Sequence, residues 1–221
     1  MLPFPQLLDY GNIIPPVQYN VLLTMHDFSS TADIKDKSSN NIAITNAGAV
    51  SVGSNSYGTY MNFNGASTSY LNFKDNRLAI GTNMEIYFKV SGLIYRGGQY
   101  LTLLLDTRPI GTNGNYFLFG YTSNAVAPFK TYMSVNNSGD NYSTLTLPAD
   151  TTVPIEIRIR LLSTGTYVYV NDVLYNSNSQ VLNINTLQNY TIGKNAFSGT
   201  APTPFLSAQI YTFEIRQLLN V

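Results

Sequence analysis

The stretch IEIRIR at residues 155–160 alternates isoleucine with a charged residue throughout its length. Successive side chains of a β-strand point to opposite faces of its sheet, so the isoleucines share one face and the charged groups share the other. This period of two predicts a strand with one buried face.

Apolar segments of the length of a β-strand recur from Val21 onward, and Gly, Asn, Ser and Pro separate them. Asn171-Asp172 and Asn113-Gly114 can adopt left-handed conformations at little cost, Gly97-Gly98 suits a hairpin turn, and residues 75–81 suit one short helical turn. Many short strands with frequent turns predict an all-β sandwich or barrel. The predicted strands lie near 21–28, 42–46, 49–52, 57–63, 69–74, 84–95, 99–106, 115–121, 129–135, 142–147, 153–162, 165–171, 173–176, 189–194 and 205–217.

The length and charge of the chain limit its class. A chain of 221 residues fits one sandwich that needs no disulfide staple, and it contains no cysteine. Its 12 basic and 12 acidic residues give a net charge of zero, and the basic residues are dispersed. Nucleic acid is therefore not a predicted partner, because phosphate binding needs a basic stripe.

The polar surface is predicted to be mostly neutral. Charged residues make up 11% of the chain, against roughly 25% in ordinary soluble domains. The sequence contains 25 Asn, 19 Ser and 22 Thr. A surface of amides and hydroxyls suits close packing against copies of the chain or against sugars.

Residues 1–20 form a separate, Pro-rich segment that precedes the predicted sandwich of 21–221. Four prolines exclude a helix or a central strand here, so the segment is predicted to be an extended arm. The arm either wraps over its own sandwich or docks on a neighbouring subunit or a larger particle. Its apolar residues, the candidates for such contacts, are Leu2, Phe4, Leu7, Leu8, Tyr10, Ile13 and Ile14.

No secretion or membrane signal is recognised in the sequence. The first five residues lack both a basic region and a continuous apolar core, so they do not resemble a signal peptide. No apolar run approaches the roughly 20 residues that a transmembrane helix needs, and no membrane partner is expected.

Several segments, in order, resemble the concanavalin A-like lectin/glucanase family, in its laminin-G-like jelly-roll form. LLTMHDF at 22–28 followed by DKSSNN at 36–41 is similar to the family's first strand and turn, and MNFNG at 61–65 with YLNF at 70–73 is similar to its next pair. Later segments that match are NMEIYFKV at 83–90, YVYVNDV at 167–173, YTIGKN at 190–195 and the closing strand within 205–216. The resemblance implies a two-sheet antiparallel jelly-roll β-sandwich.

Hydrolases of this family carry Glu-x-Asp-x-Glu on one strand, and this sequence has no such motif. Its three glutamates, Glu85, Glu156 and Glu214, are far apart and lie in different predicted strands. Asp27 or Asp106 could meet one of them across the sheets, but retaining hydrolysis requires two carboxyl groups at close range. The chain is therefore expected not to be an enzyme, and no catalytic residue is assigned.

The sequence contains few residues of the types that form metal sites or nucleophilic catalytic sites. His26 is the only histidine and is expected to be exposed or hydrogen-bonded, and zinc requires clusters of His or Cys. Calcium needs only oxygen ligands, which residues 33–41 and 136–141 could supply, although such loops are more often simple turns. No cofactor and no metal ligand are therefore assigned, with calcium as the alternative.

Tyrosines beside an amide-rich segment are the best candidates for sugar contacts. Aromatic rings stack on the apolar faces of sugars, while Asn and Asp hydrogen-bond the hydroxyl groups. Tyrosine is also favoured in strands and at interfaces, so the same residues suit a core or a subunit contact. The candidate carbohydrate-binding residues are Tyr116, Tyr121, Tyr132, Asn137, Asp140 and Tyr142.

These features favour a non-enzymatic structural or accessory protein of a virus particle, in a bacteriophage tail or capsid. The sandwich with an apolar arm resembles modules that phage virions carry. The expected partners are other virion proteins and copies of the chain in a homo-oligomer, and the expected location is the virion. The alternative function is an adhesin module that binds glycans of a host surface.

Overall fold

A computed structural model describes residues 17–94, 101–107, 117–122, 130–135, 141–147, 152–184, 187–194, 205–219 and 221. The described residues form fifteen β-strands and two short 3-10 helices, η1 (Thr31–Asp33) and η2 (Asn76–Leu78). The strands are β1 (Tyr19–Met25), β2 (Ile44–Asn46), β3 (Ser51–Asn55), β4 (Gly58–Asn64), β5 (Leu71–Phe73), β6 (Met84–Ser91), β7 (Leu101–Asp106), β8 (Phe117–Thr122), β9 (Lys130–Val135), β10 (Asn141–Thr146), β11 (Ile155–Leu162), β12 (Gly165–Val170), β13 (Val173–Asn178), β14 (Tyr190–Ile192) and β15 (Ser207–Leu218). Each of these strands overlaps one predicted segment.

The strands form two antiparallel sheets, which confirms the predicted jelly-roll sandwich. The eight-stranded sheet has the order β13-β12-β11-β6-β15-β4-β3, and β1 also pairs with β15. The long β15 has room for both neighbours on one edge, because its first residues pair with β4 and its last residues pair with β1. The seven-stranded sheet has the order β10-β9-β8-β7-β14-β5-β2.

The core lies between the sheets and follows the alternation that the sequence shows. In β11, Ile155, Ile157 and Ile159 are buried, while the charged residues between them are only partly buried. Aromatic rings join the two sheets, since Phe73 of β5 lies 5.8 Å from Phe213 of β15, centroid to centroid. Burying side chains of this size contributes about 1.5–3 kcal/mol each, which makes this layer the main stabilising element.

Two of the predicted turns lie in the described part of the chain, and each lies next to the end of a strand or a helical turn. Asn171 and Asp172, at the β12–β13 turn, both have positive φ, 48° and 64°, as predicted for this pair. The predicted helical turn within 75–81 is η2, whose N-cap Asp75 accepts a hydrogen bond from the backbone N–H of Arg77 at 2.9 Å. Gly97-Gly98 and Asn113-Gly114 lie outside the described residues.

The sandwich begins slightly before the predicted boundary at residue 21. Tyr19 pairs with Leu218 at the start of β1, so residues 19 and 20 belong to the eight-stranded sheet. The apolar arm residues between Leu2 and Ile14 lie outside the described part of the chain. Within the described residues, no helix has the length and apolar character needed to cross a membrane.

Candidate functional site

A groove of about 450 Å³ lies at one end of the seven-stranded sheet, over β2, β5 and β14. Leu71 and Ile192 on these strands point into the core, so the residues that alternate with them face outward. The residues that line the groove are Ala43, Thr45, Tyr70, Asn72, Phe73, Lys74, Asn189, Thr191 and Lys194. Its size lies within the range of small-ligand sites.

The strand register builds the centre of this groove. Asn72 of β5 stands opposite Thr45 of β2 on one side and opposite Thr191 of β14 on the other. The three side chains therefore form one row across three strands. Because they are short, they leave space beside the longer side chains of Tyr70 and Lys194.

The row presents unused hydrogen-bonding groups to the groove. The hydroxyl group of Thr191 donates to Oδ1 of Asn72 at 2.9 Å. Nδ2 of Asn72 has no hydrogen-bond partner among the described residues, so its two N–H donors remain available. Asn189 and Thr45 add further amide and hydroxyl groups at the margin.

One aromatic ring and two ammonium groups complete the lining. The Nζ atom of Lys194 lies 4.6 Å from the ring centroid of Tyr70, which is the geometry of a cation–π contact. The side chain of Tyr70 is partly exposed, and that of Lys74 is exposed. Among the described residues, no aspartate or glutamate lines the groove.

A shallower pocket beside η2 continues the surface past Lys74. It is lined by Lys74, Asp75, Asn76, Arg77 and Leu187. The guanidinium group of Arg77 donates to both carboxylate oxygens of Asp75, at 2.7 and 2.6 Å. These hydrogen bonds lower the pKa of Asp75 to about 2, so this carboxylate is charged but paired with its own arginine.

The groove differs from the site predicted from the sequence. Tyr132 and Tyr142 stand directly opposite each other on β9 and β10, at the far end of the same sheet. Tyr121 is a core residue with 1% of its surface exposed, and its hydroxyl group donates to the backbone oxygen of Ile94 at 3.3 Å. We therefore remove Tyr121 from the candidate sugar contacts, because its ring presents no free face.

The remaining predicted contacts, Tyr116, Asn137 and Asp140, lie outside the described residues. The groove residues were not singled out from the sequence, although they do leave a signal. Tyr70, Asn72 and Lys74 recur with period two around the short β5, as do Asn189 and Thr191 around β14. A polar face of this kind on a segment whose other face is fully apolar indicates an outward surface with hydrogen-bonding capacity.

The three glutamates, distant in sequence, lie on adjacent strands of the eight-stranded sheet. Glu85 on β6 contacts Arg160 of β11 and Arg216 of β15, each at 2.8 Å. Arg216 also contacts Glu214 at 2.6 Å. Since all of these strands are neighbours, the ion pairs link them across the face that points away from the core.

Glu156 belongs to the same face and is bound by Arg158 at 2.9 Å. The guanidinium group of Arg216 lies between two rings, 4.5 Å from the centroid of Tyr19 and 4.4 Å from that of Tyr87. Burial raises the pKa of the Tyr87 hydroxyl group above its ordinary value, and the nearby carboxylate of Glu156 adds to this effect. Each of the three glutamates therefore contacts an arginine.

The loop at 33–41, one of the two calcium alternatives, uses its carboxylates internally. Asp36 is buried and accepts hydrogen bonds from the backbone N–H groups of Thr24, Ser38 and Ile42, at 3.0, 2.8 and 2.7 Å. Asp33 accepts from Lys37 at 3.0 Å. The second alternative, at 136–141, lies almost wholly outside the described residues.

Other potential metal ligands are scattered. In the part of the chain that the structure describes, no group of three or more His, Cys, Asp or Glu side chains is placed to hold a metal ion. His26 is hydrogen-bonded through Nδ1 to the carboxylate of Asp27 at 2.8 Å, and both side chains are exposed to solvent.

Solved β-sandwich domains share the architecture of this chain. No family model and no curated protein matches the sequence, so the comparison depends on solved structures. Domain 4 of AbnA, an extracellular arabinanase from Geobacillus stearothermophilus that was solved with arabinotriose, is similar with a TM-score of 0.65 and 14% identity. That match covers 91% of this chain and 94% of the arabinanase domain.

Two further structures share the fold. The binding domain of botulinum neurotoxin DC, solved in complex with SialylT, has a TM-score of 0.65 and 13% identity over 90% of this chain and 48% of that domain. The carbohydrate recognition domain of Emp47p has a TM-score of 0.51 and 12% identity over 91% of this chain and 98% of its own. At these identities the likeness shows the fold alone.

Proposed function

We propose that this protein is a glycan-binding module and that its sugar site is the groove over β2, β5 and β14. The observation that carries the proposal is the row of Thr45, Asn72 and Thr191, whose hydroxyl and amide groups face a groove with an aromatic ring beside it. Sugars expose alternating hydroxyl groups and apolar C–H faces, which require this combination of partners.

Three groove residues have distinct parts in the proposed binding. The two free N–H donors of Asn72 would reach ring or hydroxyl oxygens, and the lone pairs of the Thr191 hydroxyl group would accept from a sugar O–H. The partly exposed ring of Tyr70 would cover a C–H face. The structural neighbours support the proposal of a glycan-binding module, since the arabinanase domain was solved with arabinotriose and the Emp47p domain is a carbohydrate recognition domain.

A screen of the full chain on a glycan array, followed by calorimetry with the best oligosaccharide, tests the proposal. Asn72→Ala removes two donors, so we expect about tenfold weaker binding, because one hydrogen bond of this kind contributes about 1.5 kcal/mol. Tyr70→Ala is expected to weaken binding by a similar factor through loss of apolar contact.

Matched controls use exposed residues outside the groove. Tyr57, on the β3–β4 turn, and Asn20, on β1, are both exposed. Tyr57→Ala and Asn20→Ala should bind as the wild type does. A blank array, or equal losses in the control and groove variants, would refute the glycan site.

We propose further that the module binds without cleaving its ligand. A glycosidase needs one carboxyl group that exchanges a proton with the glycosidic oxygen and a second that acts as nucleophile or base. Glu85, Glu156 and Glu214 contact arginines on the eight-stranded sheet, whereas the groove lies on the seven-stranded sheet. Incubation with the bound oligosaccharide should leave its chain length unchanged by mass spectrometry, and shortened products would refute this proposal.

The assembly role in a virus particle is a second candidate, supported by apolar residues where the arm enters the sandwich. Tyr19 and Val21 of β1, together with Leu219 and Val221 at the C-terminus, are large and exposed. Leu219 is tied to this region, because its backbone N–H donates to the oxygen of Gln18 at 2.9 Å. The arm and this patch would then bind a second copy of the chain or another particle protein.

Deletion of residues 1–16 tests the assembly role by sedimentation. We expect the full chain to form a discrete oligomer and the truncated chain to be a monomer with an unchanged circular dichroism spectrum. The same oligomer in both proteins, or a monomeric full chain, would refute assembly through the arm. Glycan binding in the groove should be the same in both.

A further inference from the structure

We infer that the groove selects acidic sugars, those that carry a carboxylate or a sulfate group, over their neutral counterparts. This inference rests on the proposed function and adds a ligand class to it. It starts from the two lysines of the lining, Lys74 and Lys194, which approach the same groove from different segments of the chain.

Neither lysine has an acidic partner among the described residues. The ion pairs between described residues involve His26, Lys35, Lys37 and several arginines, but neither lysine of the groove. The nearby carboxylate of Asp75 is bound by Arg77 through both oxygens. Asp106, which stands opposite Thr191 on β7, is fully buried and does not line the groove.

The described lining of the groove therefore carries two positive charges and no compensating carboxylate. Two ammonium groups around one concave surface raise the local potential and favour an anion there. A neutral sugar would form hydrogen bonds with the amide group of Asn72 and the hydroxyl group of Thr191. It would form no ion pair with the two lysines. An acidic group on the sugar would gain charge-assisted hydrogen bonds, which are roughly twice as strong as neutral ones.

The position of Lys194 is suited to selecting a ligand. Its ammonium group is held over the ring of Tyr70 at 4.6 Å, so part of its rotational freedom is already lost before a ligand binds. The ring also places this charge beside the surface that would contact the sugar. Lys74 is exposed and free to reorient, so we assign it the smaller share of the selectivity.

Matched pairs of glycans that differ by a single charged group test the inference. The probes are sialyllactose against lactose, oligogalacturonate against its methyl ester, and sulfated against unsulfated lactose, each measured by calorimetry with the full chain. We expect the acidic member of at least one pair to bind about tenfold more tightly at low salt. This preference should shrink as salt is added, since exposed charges are screened. The pair that shows it identifies carboxylate or sulfate as the preferred group.

Variants locate the preference at the two lysines. Lys74→Gln combined with Lys194→Gln should abolish the preference, so that the acidic and the neutral member of the pair bind this variant with equal affinity. Lys35→Gln is the matched control, since Lys35 is an exposed lysine next to η1, outside the groove. It should retain the full preference.

The outcomes separate this inference from the function on which it rests. If neutral and acidic members bind equally, or if the preference survives in the double variant, the inference fails while the glycan site stands through its dependence on Asn72. If no glycan binds at all, both fail.

Discussion

At the residue scale, Asp36 shows how one side chain fixes the start of the sandwich. Its carboxylate accepts from the backbone N–H groups of Thr24, Ser38 and Ile42 and from the hydroxyl group of Ser38, at 2.7–3.0 Å. These donors come from β1 and from the loop that follows η1, so one buried anion ties the two segments together. The buried carboxylate of the DKSSNN motif therefore forms hydrogen bonds within the protein.

Substitution of this carboxylate should destabilise the protein. Asp36→Asn keeps the shape but replaces one acceptor oxygen with an N–H₂ group that faces donors, so at least one buried N–H loses its partner. We expect the free energy of unfolding to fall by about 2–3 kcal/mol, measured by urea denaturation. Asp27→Asn is the control, because the side chain of Asp27 is 88% exposed, and it should change stability by less than about 0.5 kcal/mol. Equal stability of Asp36→Asn and wild type would contradict this account.

At the scale of elements, the face of the eight-stranded sheet that points away from the core is held together by charge across β11, β6 and β15. Glu85 lies in the middle of this row with 3% of its side chain exposed, and it binds Arg160 and Arg216 from the two flanking strands. A buried ion pair adds little stability compared with a well-packed apolar group, but removal of one partner is costly because the other charge stays buried.

Glu85→Gln should therefore lower the free energy of unfolding by about 3 kcal/mol, at the lower end of the range for a broken buried pair. The lower end applies because Arg216 retains Glu214 and because Arg160 is 23% exposed. Glu156→Gln breaks an ion pair on the same face, but the Glu156 side chain is 40% exposed, so it should cost less than about 1 kcal/mol. Similar urea midpoints for the two variants would show that the central carboxylate has no special role.

At the scale of the whole molecule, the sequence predicts the fold far better than the site. The order and approximate bounds of the strands follow from local alternation and turn residues, as in β11 and at Asn171-Asp172, because both signals act within a few residues. The pairing of β1 with the end of β15, which extends the sandwich to Tyr19, is not a local property and was missed by two residues.

The groove could not be predicted because it depends on register between distant segments. Asn72 and Thr191 are 119 residues apart, and only the pairing of β5 with β14 places them side by side. The burial of Tyr121 is different, because it follows the buried Phe117 and Phe119 at spacing two on β8, so local alternation already places its side chain on the core face. The composition predicts a surface of amide and hydroxyl groups, whereas the strand pairing determines which of these groups lie next to each other.

The most direct test of the glycan site is a titration of the isotopically labelled full chain with an oligosaccharide selected on the array, followed through its backbone amide resonances. We expect shifts concentrated at Thr45, Asn72 and Thr191 and at their neighbours on β2, β5 and β14. Shifts confined to β8, β9 and β10, around Tyr132 and Tyr142, would contradict it and would place the sugar at the opposite end of the sheet.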